Sequence, residues 1–126
     1  MFKIFIKSIE IFKLYHPFSL KIILYELYYL IEIGIWSSKE FSGWNGIKTI
    51  SSPYYLVSKI SRYIKLNNIS HAIDIGSGTG KVLNYLLKKN KNIHLSGIEI
   101  NKEAYIYSNK MTANKNIKIF NENITQ

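Results

Sequence analysis

Apolar and polar positions recur with two different periods along this chain, and the change of period marks its elements. Ala72-Ile73-Asp74-Ile75 alternates around an aspartate as a strand does, whereas Val82, Leu83, Leu86 and Leu87 return at helical spacing soon after it. Ile93-His94-Leu95-Ser96-Gly97-Ile98-Glu99-Ile100 predicts a second strand ending in an acid, and Asn101-Lys102-Glu103-Ala104-Tyr105 opens another helix with Asn101 as its cap. The segment from Asn116 to Ile124 then reads as a third strand and the loop after it. Strands that alternate with helices in this way build a parallel α/β sheet.

The amino-terminal part has a different character. From Met1 to about Trp36 it is rich in isoleucine, leucine, tyrosine and phenylalanine, has no glycine before Gly34, and carries Pro17 between two apolar segments. This predicts two helices meeting near Pro17, the second with Ile23, Leu27, Leu30 and Ile31 on one face. Ser37 to Gly46 is a turn-rich connector. A further helix is expected with Ser52 as cap, Pro53 at its first position, a buried face of Leu56, Val57, Ile60, Tyr63 and Ile64, and its end at Asn67-Asn68. Residues 1–50 thus read as a helical cap and connector, and residues 51–126 as the α/β domain.

Between the first strand and its helix lies Asp74-Ile75-Gly76-Ser77-Gly78-Thr79-Gly80-Lys81, an acid followed by three alternating glycines. Residues without a Cβ let the main chain turn with positive φ and lie against a ligand, so this loop is shaped to approach a nucleotide. The phosphate loop of nucleoside triphosphatases needs four residues between its glycines and then Lys-Ser or Lys-Thr, whereas Gly76 and Gly80 enclose three and Val82 follows Lys81. The dinucleotide fingerprint needs a third glycine where this chain has Lys81, so an NAD-type oxidoreductase fragment stays as the alternative enzyme class. A non-catalytic nucleotide-binding or interaction module is the alternative outside enzymes.

The acid and its three glycines, Asp74, Gly76, Gly78 and Gly80, resemble the first motif of class I S-adenosylmethionine-dependent methyltransferases without a gap. The resemblance covers about Pro53 to Gln126. It implies a Rossmann-like sheet of which this sequence supplies the first three parallel strands, preceded by amino-terminal helices. It also implies S-adenosyl-L-methionine as cofactor, held by Asp74, Gly76, Ser77, Gly78, Gly80, Glu99 and Asn123. Glu99, twenty-five positions after Asp74, would take the cofactor's ribose, since a carboxylate accepts hydrogen bonds from both sugar hydroxyls. Asp74 would orient the glycine loop. Asn123 stands where the family usually has an aspartate facing the adenine amino group, with Glu122 as a substitute. Taken singly, Glu99 could be a solvated strand end, Asn123 a turn residue and Lys81 a solvated lysine of the first helical turn. The family's later strands, which usually carry the acceptor contacts and any catalytic base, have no counterpart, so the chain reads as an incomplete domain with no assignable catalytic residue. An uncovered sheet edge would then favour self-association.

Composition narrows this little. The 126 residues fit one domain and include no cysteine, which excludes disulfides and thiolate metal sites and is compatible with the cytoplasm. His16, His71 and His94 have no ligand spacing, so no metal is expected. The net charge of +9 allows nucleic acid as a partner, yet the cations are nearly all lysine and are spread along the sequence, which favours a compositional bias over a binding face. The methyl acceptor could be protein, RNA or a small molecule. Glu26 and Glu32 interrupt the apolar stretch of the second helix, and Lys7, Glu10 and Lys13 interrupt the first, so neither a spanning helix nor a signal peptide is read there.

Overall fold

The computed structural model describes residues 3, 6–9, 20–42 and 52–125. The expected break at Pro17 and the connector residues Gly43 to Gly46 lie outside them. Helix α1 (Leu20–Ile33) leads through a short 3-10 turn (Ile35–Ser38) toward α2 (Tyr54–Tyr63) and a second 3-10 turn (Leu66–Asn68). Then β1 (His71–Ile75), α3 (Lys81–Lys89), β2 (His94–Ile98), α4 (Lys102–Met111) and β3 (Ile117–Phe120) alternate as the sequence periods require. The three strands are parallel in the order β1-β2-β3, with Asp74 level with Gly97 and Gly97 level with Ile119. Asn101 caps α4 by accepting the Ala104 N–H at 3.0 Å, as its position predicts.

Strand alternation gives the sheet two unlike faces. Leu95, Ile117 and Ile119 are buried on one side, in a core shared with Tyr29 of α1, Tyr54 and Val57 of α2, and Leu83, Tyr85 and Leu86 of α3. On the other side Ile73 is 67% and Ile75 62% exposed. The rings of Tyr29, Tyr54 and Tyr85 lie 4.9–5.8 Å apart, so one tyrosine from each helix ties α1, α2 and α3 together.

The apolar pattern predicts part of the face that each of the two amino-terminal helices turns to the core: Ile23 and Leu30 of α1 are buried with Leu27 packed on them, and Val57 of α2 is buried. In α1 the buried residues are Ile23, Glu26, Tyr29 and Leu30, while Ile31 is 67% exposed. The tyrosine cluster and a buried carboxylate set that rotation. In α2 the inward stripe is Tyr54, Val57, Ser58 and Ser61, whereas Leu56, Ile60, Tyr63 and Ile64 face outward. The serines are inexpensive to bury because Ser58 Oγ donates to Tyr55 O at 2.7 Å and Ser61 Oγ to Ser58 O at 2.9 Å, leaving no orphan donor. Nor does Ser52 cap this helix. Pro53 occupies the cap position, and the Tyr54 N–H donates instead to the Glu26 carboxylate of α1.

Candidate functional site

The carboxyl end of β1 runs into Gly76, and the chain turns on three glycines with φ of 75°, 54° and 83° before α3 begins at Lys81. That conformation is strained for a side-chain-bearing residue, which is why Gly76, Gly78 and Gly80 stand here. The turn is anchored to the next strand, since Gly76 N and Ser77 N both donate to Ile98 O, at 2.8 and 3.1 Å. Among the described residues, a Cβ added at Gly76 or Gly78 would meet nothing within 4 Å, whereas one at Gly80 would touch Asn84 and Thr112 at 3.4 Å. The first two glycines therefore border open space and the third packs against the protein.

Glu99, one residue beyond β2, is buried. One of its oxygens accepts the Gly78 N–H at 2.6 Å and the other the Asn101 N–H at 2.8 Å, so this carboxylate clamps the glycine loop to the start of α4. The loop is thus held by both Glu99 and Ile98. Asp74 lies nearby, and burial followed by the Glu99 charge pushes its carboxyl up to about 6. Asp74, Gly76, Ser77, Gly78 and Glu99 line one cavity of about 320 Å³. Gly80 and Asn123 stand outside its wall. Asn123 Oδ1 accepts from Thr125 N at 3.0 Å and from Thr125 Oγ1 at 2.6 Å, a local turn that occupies its acceptor. Glu122 is exposed and does not line the cavity either.

Sequence reasoning missed part of this cavity's wall. Lys39, Ser52, Ile75, Thr79, Lys81 and Val82 also line it. Thr79 Oγ1 donates to Ser37 O at 2.7 Å, fastening the loop to the 3-10 turn after α1. Lys81 is not solvated: its Nζ is buried 3.2 Å from Glu26 Oε2 and 4.1 Å above the Tyr54 ring. Burial lowers the Lys81 pKa and the Glu26 carboxylate works against that shift. Gly97 is required by close packing, because a Cβ there would stand 2.6 Å from Ser77 Oγ and 2.8 Å from Leu83 Cδ1. A glycine inside an apolar strand was the available signal for that last contact. Ser77 Oγ itself is buried against Gly97 with no hydrogen-bond partner among the described residues.

A sequence model of the protein-L-isoaspartate(D-aspartate) O-methyltransferase family matches residues 28–125. The chain belongs to this family. Among solved structures it is similar to a Plasmodium falciparum protein assigned to this methyltransferase family and crystallised with S-adenosyl-L-homocysteine. The identity is 19% and the TM-score 0.54, over 93% of this chain and 63% of that one. It is also similar to a Staphylococcus aureus protein assigned as a caffeoyl-CoA O-methyltransferase, with 16% identity and TM-score 0.52 over 94% of this chain and 51% of that one. The StiE O-methyltransferase domain matches with 21% identity and TM-score 0.51 over 56% of this chain, which spans 27% of that domain. These likenesses show the Rossmann-like methyltransferase fold of the family. No curated protein matches the chain significantly. Among the described residues no helix is long and apolar enough to cross a membrane, and no group of three or more His, Cys, Asp or Glu side chains converges.

Proposed function

We propose that this chain binds S-adenosylmethionine in the cavity beneath the glycine loop and serves an enzyme that methylates a carboxylate. The observation that carries this reading is the open space over Gly76 and Gly78, bordered by the carboxylates of Asp74 and Glu99. The residues fit the cofactor chemically. Glu99 uses one acceptor site on each oxygen for a backbone N–H, and a carboxylate has about four, so both oxygens keep capacity for a ribose diol. Asp74 supplies negative charge for a cationic ligand. Asn123, its oxygen already bonded to Thr125, is not among the proposed contacts.

When bound, S-adenosylmethionine supplies a methyl group on a positively charged sulfur. The work of the chain is to hold that donor in one pose, which lowers the entropic part of the barrier. The family's name points to an aspartyl carboxyl oxygen of a protein as the acceptor. Such an oxygen is ionised at neutral pH and needs no general base, which fits a cavity wall where no histidine stands. The absence of cysteine fits a cytoplasmic setting.

Thermal melting with added ligands tests the proposal. S-adenosylhomocysteine is expected to raise the melting temperature by several degrees, because a ligand at a hundred times its Kd stabilises by about 2.7 kcal/mol. A rise with NAD and none with S-adenosylhomocysteine would instead establish the dinucleotide reading, which the family match does not favour. With labelled S-adenosylmethionine, transfer to a peptide bearing isoaspartate, and not to RNA, checks the acceptor.

A further inference from the structure

Four of the cations that are scattered in sequence are gathered in space. Lys21 from α1, Arg62 and Lys65 from the end of α2, and Lys89 from the end of α3 line one open groove of about 650 Å³, and no carboxylate is among its described lining residues. None of those lining residues is shared with the glycine-loop cavity. Lys81 and Lys89 mark opposite ends of α3, a nine-residue helix about 13 Å long, so the groove opens near the end away from the loop.

Helix dipoles account for part of this arrangement, since Arg62, Lys65 and Lys89 stand at or just past helix carboxyl ends. They do not account for Lys21. It sits in the first turn of α1, where the dipole disfavours a cation, and yet it joins the same wall. Two of the groove cations lie against rings: Lys21 is 5.9 Å from the centre of the Tyr55 ring, and Lys89 is 5.5 Å from that of Tyr85. A ring attracts a cation but does not neutralise it, so the charge in the groove stays available. Exposed Asn67 and Asn68 add amide donors to the same wall.

We propose that this groove binds a phosphodiester strand, with single-stranded RNA as the occupant. Four cations without a lining acid call for several phosphates, and an open groove walled by three helices admits a chain where a closed pocket would admit one ion. Charge complementarity of this kind brings salt-dependent affinity, because each neutralised phosphate releases a counterion.

Fluorescence anisotropy of a labelled oligouridylate with the full chain tests it. Changing Lys21, Arg62, Lys65 and Lys89 together to glutamine is expected to weaken binding at least tenfold. The slope of log affinity against log salt should fall by about 3, at about 0.7 per phosphate on a single strand. A control changes Lys91, Lys102, Lys110 and Lys118, exposed residues outside the groove lining, to glutamine and removes the same charge. It should retain binding within about threefold. Equal loss in both variants would reduce the effect to net charge and overturn the site. So would failure of the parent chain to bind, or equal affinity for inorganic phosphate or for phosphatidylserine vesicles. Lysine acylation of the parent chain, read by mass spectrometry, decides independently of how the variants fold. RNA should protect Lys21, Lys65 and Lys89 and leave Lys102 and Lys110 reactive, and the reverse pattern would refute the assignment. RNA binding should also survive Gly78→Ala, which separates this groove from the cofactor cavity.

Discussion

Glu99 joins two tasks in one side chain, since the carboxylate that faces the cavity also fixes the loop above it through Gly78 and Asn101. Glu99→Gln keeps the shape but removes the charge and leaves one of the two N–H groups facing an amide donor. It is expected to cost about 1–3 kcal/mol of stability, measured by urea unfolding, and to weaken S-adenosylhomocysteine binding as well. Unchanged affinity would place the ligand elsewhere. Gly78 tests the surface from the other side. Gly78→Ala should cost about 1–2 kcal/mol for an alanine at positive φ, yet reduce affinity far more than stability, because its methyl would enter the open space the ligand needs. Asp74 gives a pH dependence with a definite sign. Its pKa rises from 3.8 to about 6 on folding, so the folded chain holds that proton more tightly and the unfolded chain releases it first. The contribution of this group to stability is therefore fullest below about pH 4 and is lost as the pH rises toward 6. A cationic ligand beside Asp74 favours the ionised form, so calorimetric affinity for S-adenosylmethionine should strengthen about tenfold from pH 5 to pH 7 and lose that trend in Asp74→Asn. A flat profile in the parent would remove Asp74 from the site.

Three helices meet at one buried carboxylate. Glu26 of α1 accepts the first N–H of α2 and pairs with Lys81 at the start of α3, so the seating of the glycine loop depends on a helix fifty-five positions earlier in the chain. Lys81→Met should destabilise by about 3–5 kcal/mol because it strands the Glu26 charge, and adding Glu26→Gln should recover part of that loss in a double-mutant cycle. Additive losses would mean that the two groups do not act as a pair. Nothing near Glu26 in sequence announces this role. There it reads only as an interruption of an apolar run, since a pairing across such a separation leaves no local pattern. The strands, the glycine turn and the Asn101 cap were legible for the opposite reason: alternation, missing Cβ atoms and a capping side chain act within a few residues. The face of α2 fell between these cases. Leu56, Ile60 and Tyr63 form as regular a stripe as Tyr54, Val57 and Ser61, and only the tyrosines of α1 and α3 decide which one turns inward. Asn123 bonds its own turn through Thr125, a local contact that its place in the sequence also allows.

At the scale of the molecule, the described residues form an unbalanced sheet. Among them helices cover one face, and on the other Ile73 and Ile75 of the edge strand β1 and Phe120 of β3 stand exposed. Parallel sheets are ordinarily covered on both faces, and the strand edge of β1 offers unpaired backbone groups beside those isoleucines. The described chain is therefore expected to self-associate through this edge, with a sedimentation coefficient that rises with concentration. Ile73 is the residue to change, because it stands on the bare face and, unlike Ile75, does not line the glycine-loop cavity. A lysine there puts a charge on the edge without touching the buried face, where Ala72 and Leu95 pack. Ile73→Lys should shift the chain to monomer while its melting temperature, measured at a concentration where both forms are monomeric, changes little. A monomeric parent at high concentration, or a variant that associates as strongly as the parent, would show that the exposed isoleucines are tolerated as surface and that the β1 edge recruits no partner strand.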